Sequence, residues 1–588
     1  MKYRLQTLNL SSLLEWGYSS KKSLMRKRVI TLFFLLSLMG SSFLLAASPV
    51  DMKIYPVSND IYKAIKTLYI ITGKSLPSTS APYSNDELML MVEQIDKDIL
   101  PIDAIPTYDY VHQALHTRIA PFSIHAKLAL EAYIHPNTDH FNENEDWNID
   151  YGKRLPLLRV PIEISLQKFF YARMELDLAN AKYSEPDPPT DGASPLYGKY
   201  AFTTNFLQFW RPEEIIVDGN VPNIGFAAIG GRGWTFEVGK DKVSWGPGQT
   251  GNFLVSDNLQ YHNMGRFTAY SKNFKYTFLT SFFPHPDEIY NVDQDETIDT
   301  EPGEPHYSQA RNMVGLKMFM AYRLEGRLFN DTLGIALTEG IMYQSDDGTI
   351  NLRALNPFTI YHNYYIVAMA NSLISLELNY TPLPSLNIYG QIALDEYNLP
   401  AERSNNPDLH PNAVAYMLGG TYSHPLQGGI LNLNIEGVYT DPYLYLRSRS
   451  GTEEQSTDPF DTLNYVVAIR RWTDLKVIYD QAYLGYQYGG DAIVGNISLG
   501  YTKIGKWSVQ GNAFYMVHGD KSTTSEWLLG TNESTPSESA THYVDIGVSG
   551  KTHLFDSLEV YGGINYLARI THLFKHDVQL HMGARYSL

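Results

Sequence analysis

Residues 373–395 read LISLELNYTPLPSLNIYGQIALD. In the first half Ile374, Leu376, Leu378 and Tyr380 fall on one side, and Ser375, Glu377, Asn379 and Thr381 on the other. A period of two marks a β-strand with one apolar and one polar face. Pro382-Leu383-Pro384-Ser385 turns the chain, because proline has no amide hydrogen to give a neighbouring strand. Leu386, Ile388, Gly390, Ile392 and Leu394 then alternate with Asn387, Tyr389, Gln391, Ala393 and Asp395. A sandwich core and a membrane barrel both write this pattern, and repetition separates them. Leu431 to Tyr439, Ile497 to Tyr501, Trp507 to Tyr515, Val544 to Val548 and Leu558 to Tyr566 all repeat it. Strands of about ten residues in long succession, joined by short polar turns, are the signature of a transmembrane barrel.

The final strand sharpens this. Val578, Leu580, Met582, Ala584, Tyr586 and Leu588 alternate with Gln579, His581, Gly583, Arg585 and Ser587. It resembles the C-terminal signal that the barrel-assembly machinery reads in outer-membrane proteins, with Leu588 where Phe is more usual. Turns divide into short ones, such as Asn330-Asp331 and Gly505-Lys506, and long polar ones at 288–308, 400–412, 447–461 and 519–541. That asymmetry suits periplasmic turns and external loops. Counting alternating segments gives about 16–20 strands, and bacterial barrels are normally even.

Composition agrees without deciding. The 588 residues include 43 Tyr and 43 Gly, which suit membrane-interface strands but also secreted β-proteins. Cysteine is absent, so disulfides, thiolate metal sites and cysteine nucleophiles are excluded. The net charge of −17 carries no basic nucleic-acid footprint. Met25-Arg26-Lys27-Arg28, the apolar run Val29 to Leu45, and Ala46-Ala47-Ser48 form a secretory signal, with residues before Met25 as an upstream extension. An uncleaved membrane helix is the other reading of that run. Beyond Leu45 no apolar run approaches the roughly 20 residues of a membrane helix. A membrane form of the mature chain is therefore a closed barrel.

Residues 49–120 read as helical, residues 1–48 as extension and signal, and residues 121–588 as barrel. Ser58-Asn59-Asp60 caps a helix bearing Ile61, Ile65, Leu68 and Tyr69. Ser84 and Glu87 form a capping box before Leu88, Met91, Val92 and Ile95. A third helix runs from Tyr108 to Arg118. Helices this short need a surface to pack on.

One stretch is more specific: Trp234 to Asn258, WTFEVGKDKVSWGPGQTGNFLVSDN. Its strand stops at Trp245-Gly246-Pro247-Gly248, and Gly251 precedes Phe253-Leu254-Val255-Ser256-Asp257-Asn258. This resembles the signature of the capsule assembly protein Wzi family. Three further stretches carry the resemblance: EGVYTDPYLY at 436–445, YLGYQYGGDA at 483–492, and the hairpin 371–395. Gly490 departs from the family's usual Pro. Residues 354–365, ALNPFTIYHNYY, resemble it more weakly.

The resemblance implies an all-β, antiparallel transmembrane barrel of eighteen strands, with a helical bundle at its periplasmic mouth. It implies a non-enzymatic protein that binds capsular or exopolysaccharide and attaches it to the cell surface, with outer-membrane lipid around it. Trp245 would stack on a sugar ring, Asp257 and Asn258 would bond hydroxyls, and Tyr443 and Tyr445 would join them. Gly246, Pro247, Gly248 and Gly251 shape the loop. The other reading of this loop is that it folds inward and braces the barrel. The competing function is a porin, a passive channel.

Other chemistry finds no support. The acidic loop 287–304 lacks the glycine and spacing of a calcium loop, and no metal site or cofactor is expected. No His-Glu-x-x-His, phosphate loop or nucleophile elbow occurs. The inward charges Glu163, Arg173, Glu175, Asp177, Glu377, Asp395, Glu436, Arg569 and Arg585 read as a salt-bridged, wet lumen.

Overall fold

The computed structural model describes residues 52–588 apart from 118–119, 142–145, 151–152, 167–168, 180–200, 206–221, 287–314, 346, 351–355, 357–359, 362–369, 406–409, 447–462, 474–475, 526–529 and 531–532. The secretory signal, the acidic loop and most of the 354–365 stretch lie outside the described residues.

Among the described residues, 18 antiparallel strands close a barrel. The first is interrupted, Phe122–Ile124 and then Lys127–Ile134, and the last is Phe574–Ser587. These two pair from Ser587 opposite Lys127 to Leu580 opposite Ile134. The amide of Leu588 adds a hydrogen bond of 2.8 Å to the carbonyl of Ala126. The sheet therefore has no free edge. The short strand Phe202–Thr204 lies beside Ala132 to Ile134 as an insert and is not one of the 18.

Burial settles which way the faces point. Ile374, Leu376, Leu378 and Tyr380 are 39–47% exposed, whereas Ser375, Glu377, Asn379 and Thr381 are at most 5% exposed. The partner strand repeats this, with Ile388, Ile392 and Leu394 outside and Asn387, Tyr389 and Gln391 buried. Oily outside and polar inside inverts a sandwich core, and only a lipid surround satisfies it.

The short turns gather at one end. Phe329, Asn330 and Asp331 have φ of 52°, 53° and 66°, and Gly505 has 70°. The helices dock at this end. Helix α1 (Asp60–Ile71) is capped by the Asn59 side chain, which accepts from Ile61 N–H at 2.6 Å. Helix α2 (Asn85–Val92) is capped by Ser84, which accepts from Glu87 N–H at 3.2 Å. Only half of the predicted capping box forms, because the Glu87 carboxylate instead takes the Lys275 ammonium of the wall at 2.6 Å. Helix α3 (Ile105–His116) carries Pro106 in its first turn. Ile65, Leu68, Leu88, Val92, Val111 and Leu115 form one core with Ile430 of the barrel. Main-chain bonds fasten α1 to the turns: Ser385 N–H to the Ile70 carbonyl, and Ser75 N–H to the Asp331 carbonyl, each 2.7 Å. None of the described helices is long and apolar enough to cross a membrane.

Two features lie beyond the sequence reading. Among the described residues the hairpin Val466–Thr473 with Lys476–Tyr483 pairs only with itself, while the wall strands on either side of it, Gly429–Thr440 and Ala492–Lys503, pair directly. Its first strand buries Val466, Val467, Ala468 and Ile469 in succession, unlike a two-faced wall strand. A short helix, Pro400–Asn405, also stands in a long loop.

Candidate functional site

The lumen is filled from two directions. Between α1 and α2 the chain runs along the wall through Ser78, Thr79 and Ser80. Ser78 and Ser80 hydroxyls donate to one Glu325 oxygen at 2.7 and 3.0 Å, and Thr79 donates to Glu377 at 2.7 Å. Arg323 bridges both acids, to Glu377 at 2.7 Å and Glu325 at 2.9 Å. From the other side comes the loop that follows strand Trp234–Asp241. Its Ser244–Trp245 pairs with Ser80–Ala81, and Gly246 N–H donates to the Thr79 carbonyl at 2.7 Å. The two segments form a plug.

Trp245 lies wholly inside that plug, at 0% exposure, among Val243, Phe253, Val255, Tyr389, Tyr445 and Tyr486. Its indole N–H has no partner among the described residues. A ring with no exposed face gives a sugar nothing to stack on, so this placement matches the inward, bracing geometry. The glycines explain the bend. Gly246 has φ of 141°, and a Cβ there would sit 2.0 Å from the Asn252 side-chain oxygen. A Cβ on Gly248 would sit 2.0 Å from the Gly251 carbonyl oxygen. That same Asn252 oxygen accepts from Gly248 N–H at 3.0 Å.

The four stretches that carry the family resemblance converge here. Glu436 accepts from Gln249 N–H at 2.7 Å, Thr250 N–H at 2.8 Å, the Thr250 hydroxyl at 2.6 Å and the Tyr389 hydroxyl at 2.8 Å. Gln391 accepts from Phe253 N–H at 3.1 Å. Asp395 accepts from Tyr445 N–H at 3.1 Å. The Tyr445 hydroxyl donates to the Phe253 carbonyl and accepts from Tyr486 N–H at 3.0 Å. Burial pushes both the Tyr445 and Tyr486 hydroxyls well above the ordinary phenol value, which keeps them neutral. Glu436 thus serves as an acceptor for plug amides, whereas the sequence reading put it among salt-bridged charges. Salt bridges do form elsewhere on the wall: Arg173 with Glu163 and Glu175, Arg159 with Asp177, Arg569 with Asp146, and Arg585 with Glu559.

The remaining predicted residues separate. Tyr443 is 1% exposed and donates to Glu533 of the long loop 519–541 at 2.8 Å. Asn258 is half-buried, its amide donating to the Tyr483 carbonyl at 2.7 Å. Asp257 alone of the five is exposed, and it borders a cavity of about 460 Å³ beside the plug. A second cavity of about 650 Å³ shares Leu155 and Arg585 with it. The sequence reading named Arg173, Glu175, Asp177 and Arg585 among the inward charges, and the first cavity brings these four together. It missed Lys127, which lines the same cavity and which no motif marks. Among the described residues no group of His, Asp or Glu is placed to hold a metal ion.

No protein-family model and no curated protein matches the chain. Solved structures do. The fold matches that of the outer-membrane protein Wzi of Escherichia coli, described as involved in group 1 capsule assembly and as a carbohydrate-binding β-barrel. The match covers 90% of this chain and 98% of that one, with a TM-score of 0.54 and 12% identity. More distant matches include OmpT of Vibrio cholerae, in a form lacking one loop, and the channel DcaP of Acinetobacter baumannii. Each has a TM-score of 0.32 and 7% identity over 79% of this chain, covering 99% and 97% of theirs. At 12% identity the likeness to Wzi is one of architecture, and it shows the fold: a closed antiparallel β-barrel of 18 strands, like that outer-membrane protein.

Proposed function

We propose that this barrel binds capsular or exopolysaccharide at the outer face of the outer membrane and holds it to the cell, without catalysis. The observation that carries the reading is the plug. The segments resembling the Wzi family are spent on closing the lumen, which suits a platform better than an open pore. The architectural likeness to a carbohydrate-binding barrel supports it. In this reading Trp245, Tyr443 and Tyr445 support the site from within, while Asp257 and the cavity it borders face the sugar, with Asn258 holding that turn. Export through a cleaved signal in residues 1–48, and delivery of strand Phe574–Ser587 to the barrel-assembly machinery, belong to the same proposal.

The test is to delete the gene and measure cell-associated against shed polysaccharide. A shift to the shed fraction is expected, and unchanged retention refutes the reading. The two cavities beside the plug favour a second reading, a passive channel. A steady large conductance in planar bilayers would select it.

A further inference from the structure

We infer that the cavity of about 460 Å³ binds a carboxylate-bearing sugar unit. The inference rests on the function proposed above and names the chemistry of its ligand. The cations Lys127, Arg154, Arg159, Arg173, Lys242 and Arg585 line the cavity, against the acids Glu175, Asp177, Asp241 and Asp257. In a chain of net charge −17, this chamber gathers six bases, which Glu163 and Glu559, pairing with Arg173 and Arg585 from just outside the lining, bring to balance with the acids. An acidic polymer is repelled by the bulk of this protein and less opposed at this balanced chamber.

The pairing inside the chamber identifies where the ligand charge belongs. Arg159 is held by Asp177 at 2.8 Å, Arg173 by Glu175, and Arg585 by Glu559 at 2.7 Å. The Lys127 ammonium forms no ion pair and no hydrogen bond with the described residues. The charges acting on it are chiefly of its own sign, Arg173, Arg585 and Arg159, against Glu175. A half-buried ammonium among guanidinium groups gains when a counter-charge arrives. A sugar carboxylate supplies that charge in a charge-assisted hydrogen bond. Asp257 and Gln260 on the same lining accept or donate to hydroxyls, and Phe226 offers a small apolar surface. The volume lies within the roughly 300–1,000 Å³ of small-molecule sites.

Calorimetric titration of the detergent-solubilised full chain tests this, with hexagalacturonate as the acidic probe and maltohexaose as the neutral one. Hexagalacturonate should bind, and raising salt from low to high should weaken it by about tenfold or more while leaving any maltohexaose binding unchanged. That comparison needs no variant. Lys127→Gln should lose about tenfold in affinity for the acidic probe, and Lys127→Arg should keep it, both checked for heat-modifiable migration of the folded barrel. Equal affinity for the two probes, no binding of either, or full affinity in folded Lys127→Gln overturns the site. Such a result together with polysaccharide shed from the deletion strain leaves the proposed function standing. Full retention by the deletion strain removes that function whatever the titration gives.

Discussion

Glu436, on the barrel wall, holds Thr250 at the bend of the inward loop by both its amide, at 2.8 Å, and its hydroxyl, at 2.6 Å. Glu436 is 2% exposed, so the carboxylate has exchanged water for four protein donors. Such an acceptor is strong when satisfied, and its removal strands every donor at once.

Glu436→Ala should therefore loosen the plug while the wall still closes. The expected loss is about 1.5–3 kcal/mol. Single-channel recording on planar bilayers should show openings in the variant that the native protein lacks. Identical traces would mean that the loop is held by other contacts.

Neighbouring residues on one strand should fail for opposite reasons. Leu376 faces lipid, so Leu376→Arg should cost about 2–4 kcal/mol if it lies near the bilayer midplane. Glu377 faces inward and shares Arg323, at 2.7 Å, with Glu325 at 2.9 Å, so Glu377→Leu should cost about 1.5–3 kcal/mol by removing one of that buried cation's two acidic partners. Urea unfolding in phospholipid vesicles reads both. If Leu376→Arg were neutral, the assignment of faces would be wrong.

Trp245 should behave as a brace. Trp245→Ala should cost about 3–5 kcal/mol through the void it leaves. Trp245→Phe should cost far less, because the indole N–H has no hydrogen-bond partner to lose. Thermal unfolding followed by heat-modifiable gel migration distinguishes the two. A Phe variant as unstable as the Ala variant would indicate a polar role for the indole.

Acid should release the outer loop 519–541 before it touches the wall. The Ser537 hydroxyl and the Lys521 ammonium, at 3.2 Å, hold the Asp520 carboxyl below the usual carboxylate value. A folded value below the unfolded one stabilises fully above the unfolded value of about 3.9, and that stabilisation is lost as pH falls through the folded value. Protection of amides in this loop, taken relative to the intrinsic exchange rate at each pH, should therefore fall below about pH 4, with strand amides still protected. Simultaneous loss in loop and strands would contradict this order.

The wall was legible because its information is local. Ile374 to Tyr380 display their two faces within one short segment, and the structure places both as read. The role of Trp-Gly-Pro-Gly was less legible. The glycines announce a bend, but its direction is set by Glu436, 186 residues beyond Thr250. The hairpin of Val466–Thr473 and Lys476–Tyr483 was not legible, since its residues carry no clean two-residue alternation and among the described residues it pairs only with itself. In the cavity, Arg173 and Glu175 could be read as a salt bridge from the pattern. The solitary state of Lys127 is a property of packing, which no spacing records.

The seam between Lys127–Ile134 and Phe574–Ser587 has a bearing on biogenesis. Its two halves lie at opposite ends of the barrel sequence, so the ring cannot be completed until nearly all of that sequence has been made and delivered. Until then each end presents a bare row of amides and carbonyls, able to capture another chain. An unclosed chain is thus exposed to edge-to-edge aggregation from both rows at once, a hazard that closing the ring removes.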